Sequence, residues 1–509
     1  MRRSPGLVAA TPDHGLRHRK LAAGDVRPRD YAACFSPSTR GRPGRPVWSS
    51  TTSCTRSGGG YREIRQSFPS PGQVEHDPDE LLSSVEAAAT DALDAAGVRL
   101  GDVAAIGIAN QRETTVVWER GTGRPVHPAI VWQDRRTAAR CHELPAGLVR
   151  SRTGLVPDPY FSATKLEWIL ERTVLPPEEL AFGTVDAWLA WKLTGGDAHV
   201  TDLTNASRTM LLDLERGAWD DELLALFGVD RAVLPRIVPS SGVVGEASLL
   251  GDRVPIAGLA GDQQAALFGH GCFARGEAKA TYGTGTFVLV VLGDDPGEPV
   301  DGLLTTAAAV EPGASRRYAA EGSVLVGGAA LQWLRDGLGL IGSAADSESL
   351  ATSVESTEGV HFVPALTGLG SPQWRPDARG VISGLTRGTT RAHLVRAALE
   401  AVAHQVADVL EALPLRAEVL RADGGATANG FLMQLQADLI GCPVEVAAEA
   451  ESTALGAAAL AGLAVGTWSD AAEVASLVRR GSRYEPLMDA DEVAERRAKW
   501  HEAVRRALV

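Results

Sequence analysis

Ala257-Gly258-Leu259-Ala260-Gly261-Asp262-Gln263-Gln264-Ala265-Ala266 is the stretch on which the reading of the fold turns. The apolar run over residues 254–260 stops abruptly at a carboxylate and two amides, and small helix-compatible residues follow. This is the pattern of a buried strand that delivers polar side chains to a cleft at its carboxyl end, where open α/β sheets bind ligands. Asp262 can take a proton from a hydroxyl, and Gln263 can hydrogen-bond a neighbouring one. The competing reading is an Asp that only caps the next helix.

Moving outward, strands and helices alternate on both sides of this stretch. Towards the N-terminus the spacing predicts a helix over 79–96 with a capping Asp, strands over 103–109 and 114–118, and helices over 162–170 and 185–193. Towards the C-terminus it predicts a hairpin of strands 278–282 and 286–292 around Gly283-Thr284-Gly285, and a long helix over 390–413. A strand over 419–422, a helix over 429–440, a strand over 444–447 and a small-residue helix over 454–465 complete the pattern. Strand–helix alternation with glycine at strand ends argues for α/β architecture. Small residues at 269–276 mark a domain boundary, giving domains over 61–268 and 269–509.

Three loops in the second half carry glycines at strand ends: Tyr282-Gly283-Thr284-Gly285-Thr286, Val326-Gly327-Gly328-Ala329-Ala330, and Asp423-Gly424-Gly425-Ala426-Thr427-Ala428-Asn429. Glycine lets backbone N–H groups approach an anion, and a Thr hydroxyl adds a donor. Each alone reads as an ordinary turn; three in one domain favour a nucleotide site. None is a Walker A loop or a Rossmann fingerprint. In the first half, Asn110-Gln111-Arg112-Glu113-Thr114-Thr115 sets a guanidinium beside a carboxylate, suited to adjacent hydroxyls of a polyol or, more plainly, to a surface ion pair. Trp132, Tyr160 and Phe161 can wall a carbon backbone or simply fill a core.

The chain has 509 residues, too many for one core, and a net charge of −13, which argues against nucleic-acid partners. No charge-free apolar run is long enough to span a membrane. Cys34, Cys54, Cys141, Cys272 and Cys442 show no metal-ligand spacing and read as reduced thiols of a cytoplasmic protein. Residues 1–65 hold 13 Lys and Arg against 4 Asp and Glu, whereas the rest holds 37 against 59. Residues 1–60 are rich in Arg, Pro, Gly, Ser and Thr without sustained periodicity, so disorder is the physical expectation there.

The runs at 72–78, 110–115, 130–134, 160–165, 261–266, 281–287, 328–336 and 423–434 together resemble the glycerol kinase branch of the FGGY carbohydrate kinase family, in order and spacing from about residue 62 onward. The resemblance implies two ribonuclease-H-like (actin-like ATPase) domains flanking a catalytic cleft, with ATP and Mg2+ facing glycerol. It implies Arg112, Glu113, Tyr160, Asp262 and Gln263 as ligands of the polyol hydroxyls, with Asp262 the general base. Trp132 and Phe287 are implied as aromatic walls, and Thr284, Gly328, Gln332, Gly425 and Asn429 as nucleotide contacts; no metal ligand is assigned. A carboxylate is a weak base for an alcohol, so its task is orientation and late proton acceptance, with in-line positioning supplying most of the rate. Alternatives are a kinase of another sugar or polyol, or a relic that binds without turnover. Self-association is left open.

Two features depart from the family pattern. The segment 245–255 lacks the glycine-rich loop through which some bacterial members bind a sugar bisphosphate, so that regulation is not expected. The family also opens with an apolar strand running into Asp-Gln-Gly-Thr-Ser/Thr, a phosphate-binding hairpin missing here. Codons TCG ACC AGG GGA CGT CCN are allowed for residues 38–43, and in the displaced frame they read GAC CAG GGG ACG TCC, which is Asp-Gln-Gly-Thr-Ser. The same displacement permits an apolar strand before the motif and another after it. Residues 33–60 therefore read as a frame-shifted translation, against the alternatives of a divergent basic arm or a transit peptide.

Overall fold

The computed structural model describes residues 31–35, 47–50 and 53–508, apart from positions 250, 414 and 450. Two sheets dominate, and both follow one order. In the first, Tyr31–Phe35, Val47–Ser50 and Ser53–Gly59 form an antiparallel meander. Val103–Asn110 lies parallel to Tyr31–Phe35, Asp252–Gly261 parallel to Val103–Asn110, and Ser241–Leu249 closes the edge antiparallel. In the second, Ala278–Tyr282, Thr286–Gly293 and Arg317–Val324 form the meander, extended by Leu304–Ala308. Leu420–Asp423 and Val444–Ala447 follow in parallel, and Arg480–Tyr484 closes that edge antiparallel. Each sheet has its own apolar core. This duplicated α/β plan is the two-domain actin-like class that the sequence led us to expect.

The elements form where periodicity placed them. Pro78–Ala96 is capped by Asp77, whose side chain accepts from Asp79 N, and it buries Leu81, Val85, Ala89 and Leu93 on one face. Ser162–Leu170, Val185–Leu193, Arg391–Glu411 and Gly430–Ile440 are helical. Residues 31–59 are the exception. Disorder was expected there, yet they supply three strands of the first sheet. The open edge of Val103–Asn110 provides a ladder partner, and pairing outweighs weak local patterning. Residues 36–46, which include the stretch where the displaced frame spells the phosphate motif, lie outside the described residues.

One helix ties the domains together. Ser452–Ala464 is apolar on all sides and almost wholly buried, as an interior helix must be. It belongs to the second half of the chain but packs on Val103–Asn110, Asp252–Gly261 and the helix Asp262–Gly269. Glycine permits that approach: a Cβ at Gly107 would stand 2.1 Å from the Ala457 carbonyl oxygen, and one at Gly456 1.8 Å from that of Ala265. The helix that begins with Asp262 is thereby clamped from behind.

Candidate active site

The adjacent parallel strands Val103–Asn110 and Asp252–Gly261 pair Asn110 with Gly261 at their carboxyl ends, so Arg112, Glu113 and Asp262 emerge side by side. Glu113 sits in the left-handed region at φ +62. Its carbonyl oxygen is held there by Ser162 Oγ at 3.0 Å and Thr115 Oγ1 at 3.1 Å. A non-glycine residue in that region costs about 1–3 kcal/mol and persists where surrounding structure imposes it.

Arg112 and Glu113 are not a surface ion pair; both are buried. Their stronger partners also lie elsewhere. Glu113 accepts from Arg208 Nε at 2.6 Å, whereas Arg112 Nε is 3.8 Å away. Arg112 grips Glu321 with both terminal nitrogens, Nη1 to Oε2 at 2.5 Å and Nη2 to Oε1 at 2.8 Å. Burial alone would raise the Glu321 carboxyl, but Arg112 and Arg208 overcome it and hold the group at about 2. For Glu113, burial prevails over the same arginines and raises its pKa.

Asp262 opens the helix Asp262–Gly269, and its side chain is 30% exposed. It accepts from the Gln263 backbone N–H at 2.8 Å and from Gln263 Nε2 at 3.1 Å. Those bonds reach only the next residue, so Asp262 does not cap the turn beyond it, and Gly261 occupies the cap position. Gln263 Oε1 accepts from the buried Lys279 Nζ at 2.5 Å, and Lys279 also donates to Thr281 Oγ1 at 2.9 Å. Burial pulls the Lys279 ammonium down to about 8 against the opposing pull of Asp423 and Asp262. Beside these groups Trp132 meets Tyr160 edge-on at 5.5 Å and Phe287 at 6.2 Å, forming a small aromatic box.

The glycine loops line the same cavity. Gly283 closes on Gly285. The second loop docks on the first, with Gly328 N–H donating to Gly283 O at 2.9 Å and Ala329 N–H to Thr284 O at 3.0 Å. The Gly328 amide is thus spent on the neighbouring loop, and its lack of a Cβ is what allows that contact. Asn429 caps Gly430–Ile440 by accepting from Leu432 N at 2.9 Å and donates to Ser347 Oγ at 3.2 Å, so it shapes the wall as much as it faces the cavity.

All of Arg112, Glu113, Trp132, Tyr160, Asp262, Gln263, Thr284, Phe287, Gly328, Gln332, Gly425 and Asn429 line one cavity of about 820 Å³. That size holds a nucleotide and a small polyol together. Sequence reading missed Arg208, Lys279 and Glu321. The last two had a signal: Lys279 is the one charge in Ala278–Tyr282, and Glu321 stands among small residues in the middle of Arg317–Val324, whose other charge, Arg317, opens the strand. Arg208 had none.

Asp423 lines the same cavity with one buried oxygen, Oδ1, lacking a protein hydrogen bond, while Oδ2 faces His270 Nε2 at 3.5 Å. Asp262 and Asp423 both line the cavity, and carboxylates of this kind suit Mg2+, a hard cation usually held by one or two carboxylates with phosphate oxygens and water. Among the described residues no helix is long and apolar enough to cross a membrane.

Comparison with known proteins agrees with this geometry. The model of the FGGY carbohydrate kinase N-terminal domain matches residues 57–269, and that of the C-terminal domain matches residues 278–465. Glycerol kinase 2 of Thermotoga maritima is 53% identical over 88% of this chain and 93% of its own length. The glycerol kinase of Dechloromonas aromatica is 54% identical over 88% and 92%. The crystal structure of Plasmodium falciparum glycerol kinase with ADP superposes with a TM-score of 0.85 at 33% identity, covering 94% of this chain and 98% of that one. A gluconate kinase from Lactobacillus acidophilus, at 21% identity and a TM-score of 0.81, shares the fold. With both of its domains matched and its cavity built from the motifs that carry the likeness, this chain belongs to the FGGY family of carbohydrate kinases.

Proposed function

We propose that this chain transfers the terminal phosphoryl group of ATP to a primary hydroxyl of glycerol, giving sn-glycerol 3-phosphate and ADP. The observation that carries the reading is the position of Asp262 at the seam of the cavity. Arg112, Glu113, Tyr160 and the Trp132–Phe287 box share that cavity with the glycine loops. Three polyol carbons fit against the two rings, while the carboxylates and Arg112 serve the hydroxyls. Asp262 orients the attacking hydroxyl and receives its proton as the O–P bond forms and the bond to the ADP oxygen breaks. Gln263, held by Lys279, keeps Asp262 turned towards the acceptor. Thr284, Gly425 and Gln332 contribute to the nucleotide wall. Mg2+, held by Asp262 and Asp423, would neutralise charge on the phosphates.

The aromatic box favours glycerol over larger sugars. A cytoplasmic enzyme without nucleic-acid partners fits the net charge of −13 and the buried free thiols Cys141, Cys272 and Cys442. A coupled ADP-release assay with glycerol, xylulose and gluconate tests the reading. Glycerol should give the highest kcat/KM by at least about tenfold. A faster pentulose would overturn it.

A further inference from the structure

Four charged side chains form a connected set at the polyol wall: Arg112, Glu113 and Arg208 from the first domain and Glu321 from the second. All four are buried, and Arg208 and Glu321 have no exposed surface. Glu321 is the shared counter-ion, accepting hydrogen bonds from Arg112 and facing Arg208 as an ion pair alone. It takes both terminal nitrogens of Arg112 and lies 3.2 Å from Arg208 Nη2. Arg208 in turn holds Glu113 and lies over the rings of Tyr160 at 5.3 Å and Phe161 at 5.1 Å. The same seam carries Ser207 Oγ against Thr306 Oγ1 at 2.9 Å and Gln264 Nε2 donating to Thr306 Oγ1 at 3.1 Å, so the domains meet here through polar contacts with defined directions.

The contacts of Arg112 are graded. Those to Glu321 are short. Those on the cavity side are long: Nε stands 3.3 Å from Asp262 Oδ1, and Nη2 3.4 Å from the Tyr160 hydroxyl. A bound hydroxyl can enter at the long contacts while the short ones hold the guanidinium plane fixed. Without Glu321, two buried cations lose their shared counter-ion, and the carboxylates still within reach are Glu113 and Asp262, the groups needed by the acceptor hydroxyls.

We infer that Glu321 is a positioning residue of the polyol subsite: from the second domain it fixes Arg112 and Arg208 of the first, so that the subsite is complete only when the two domains are in contact. This rests on reading the cavity as a polyol kinase site. Glu321 touches neither the acceptor nor the nucleotide in this account; it acts through the arginines.

The test compares the full chain with Glu321→Gln and Glu321→Asp, varying glycerol and ATP separately and following glycerol binding alone by tryptophan fluorescence, since Trp132 lies in the subsite. Glu321→Gln should raise the KM and the binding constant for glycerol about 30-fold while the KM for ATP stays within about twofold. Glu321→Asp, which keeps the charge, should recover most of that loss. A merely structural role would lower thermal stability and the active fraction without separating the two KM values. Unchanged glycerol affinity in a folded Glu321→Gln, or equal rises for both substrates, overturns the inference. If Glu321→Gln does not fold, Glu321→Asp decides, with a several-fold weaker glycerol constant expected and an unchanged one overturning it. If the unaltered chain prefers another polyol, the glycerol reading fails by itself; the inference about Glu321 then stands or falls on the KM for that polyol.

Discussion

Arg112 Nε stands 3.3 Å from Asp262 Oδ1, although the two residues reach the cavity on different strands, 150 positions apart in the chain. The strand pairing that aligns Asn110 with Gly261 makes this contact, and it places a fixed cation beside the carboxylate proposed as base. A carboxylate so placed stays where an incoming hydroxyl can meet it. Asp262→Asn keeps the shape and removes the proton acceptor. Its kcat should fall by about 10³ while glycerol binding, followed by fluorescence, changes little. A kcat within tenfold of the parent would return Asp262 to a local structural role.

In the proposed acceptor subsite, the Trp132–Phe287 contact would set the width available to the carbons. Phe287→Ala removes one wall and opens room for further carbons. Glycerol KM should rise about tenfold, and the ratio of xylulose to glycerol turnover should increase. An acceptor panel showing equal losses for every polyol would mean that Phe287 supports the fold rather than selecting the substrate.

Legibility from sequence followed the locality of each constraint. Asp262, Arg112 and the glycine loops announce themselves because strand ends are marked by a sudden change from apolar to polar or glycine residues. Glu321 and Arg208 are distant in sequence from the groups they hold, at separations of 209 and 95 residues, so their partners become visible only through tertiary contact. Tyr31–Phe35 was missed for the related reason that its ladder partner comes from residues 103–110, and Val47–Ser50 and Ser53–Gly59 add to the sheet through it. Gly328, which the family resemblance implies as a nucleotide contact, lines the cavity, and tertiary docking commits its amide to Gly283, a contact no single loop announces.

Glu321 also makes acid stability a measurable consequence of the charge network. Its carboxyl is held at about 2 in the folded chain, against an ordinary value of 4.5. A carboxylate whose folded value is depressed contributes its full stability above the unfolded value and loses it as pH falls towards the folded one. Urea unfolding of the parent and of Glu321→Gln should therefore differ most above pH 4.5. By pH 3.5 that gap should narrow by about 1 kcal/mol. Parallel stability curves across this range would show that the ion pairs add nothing specific.

Gly456→Ala tests the clamp behind Asp262. The added Cβ would meet the Ala265 carbonyl oxygen at 1.8 Å, and both groups belong to helix backbones that cannot rotate away. The helices must separate, which costs about 1–3 kcal/mol. Because Asp262 begins the displaced helix, kcat should fall more than the loss of folded protein explains. Calorimetry and active-site titration separate the two effects; a drop in melting temperature with unchanged kcat per folded molecule would show that the clamp serves stability alone.

The duplicated sheet order points to the remaining test. In the second domain, Gly283-Thr284-Gly285 joins the first two strands of the meander and lines the cavity. The corresponding connection in the first domain joins Tyr31–Phe35 to Val47–Ser50 and reads Ser-Pro-Ser-Thr-Arg-Gly-Arg-Pro-Gly-Arg-Pro over residues 36–46, without an acidic residue or a Gly-Thr pair. With the codons allowed for residues 38–43, the displaced frame would supply Asp-Gln-Gly-Thr-Ser in that connection. Replacing residues 33–60 by the displaced-frame translation should raise kcat by about 10² or more, the effect expected when preorganised donors are returned to a transferring phosphoryl group. The gene must carry codons compatible with both frames; codons that cannot spell the motif end the frame-shift proposal. Equal activity of the two chains would show instead that the motif is dispensable for turnover by the cavity described above.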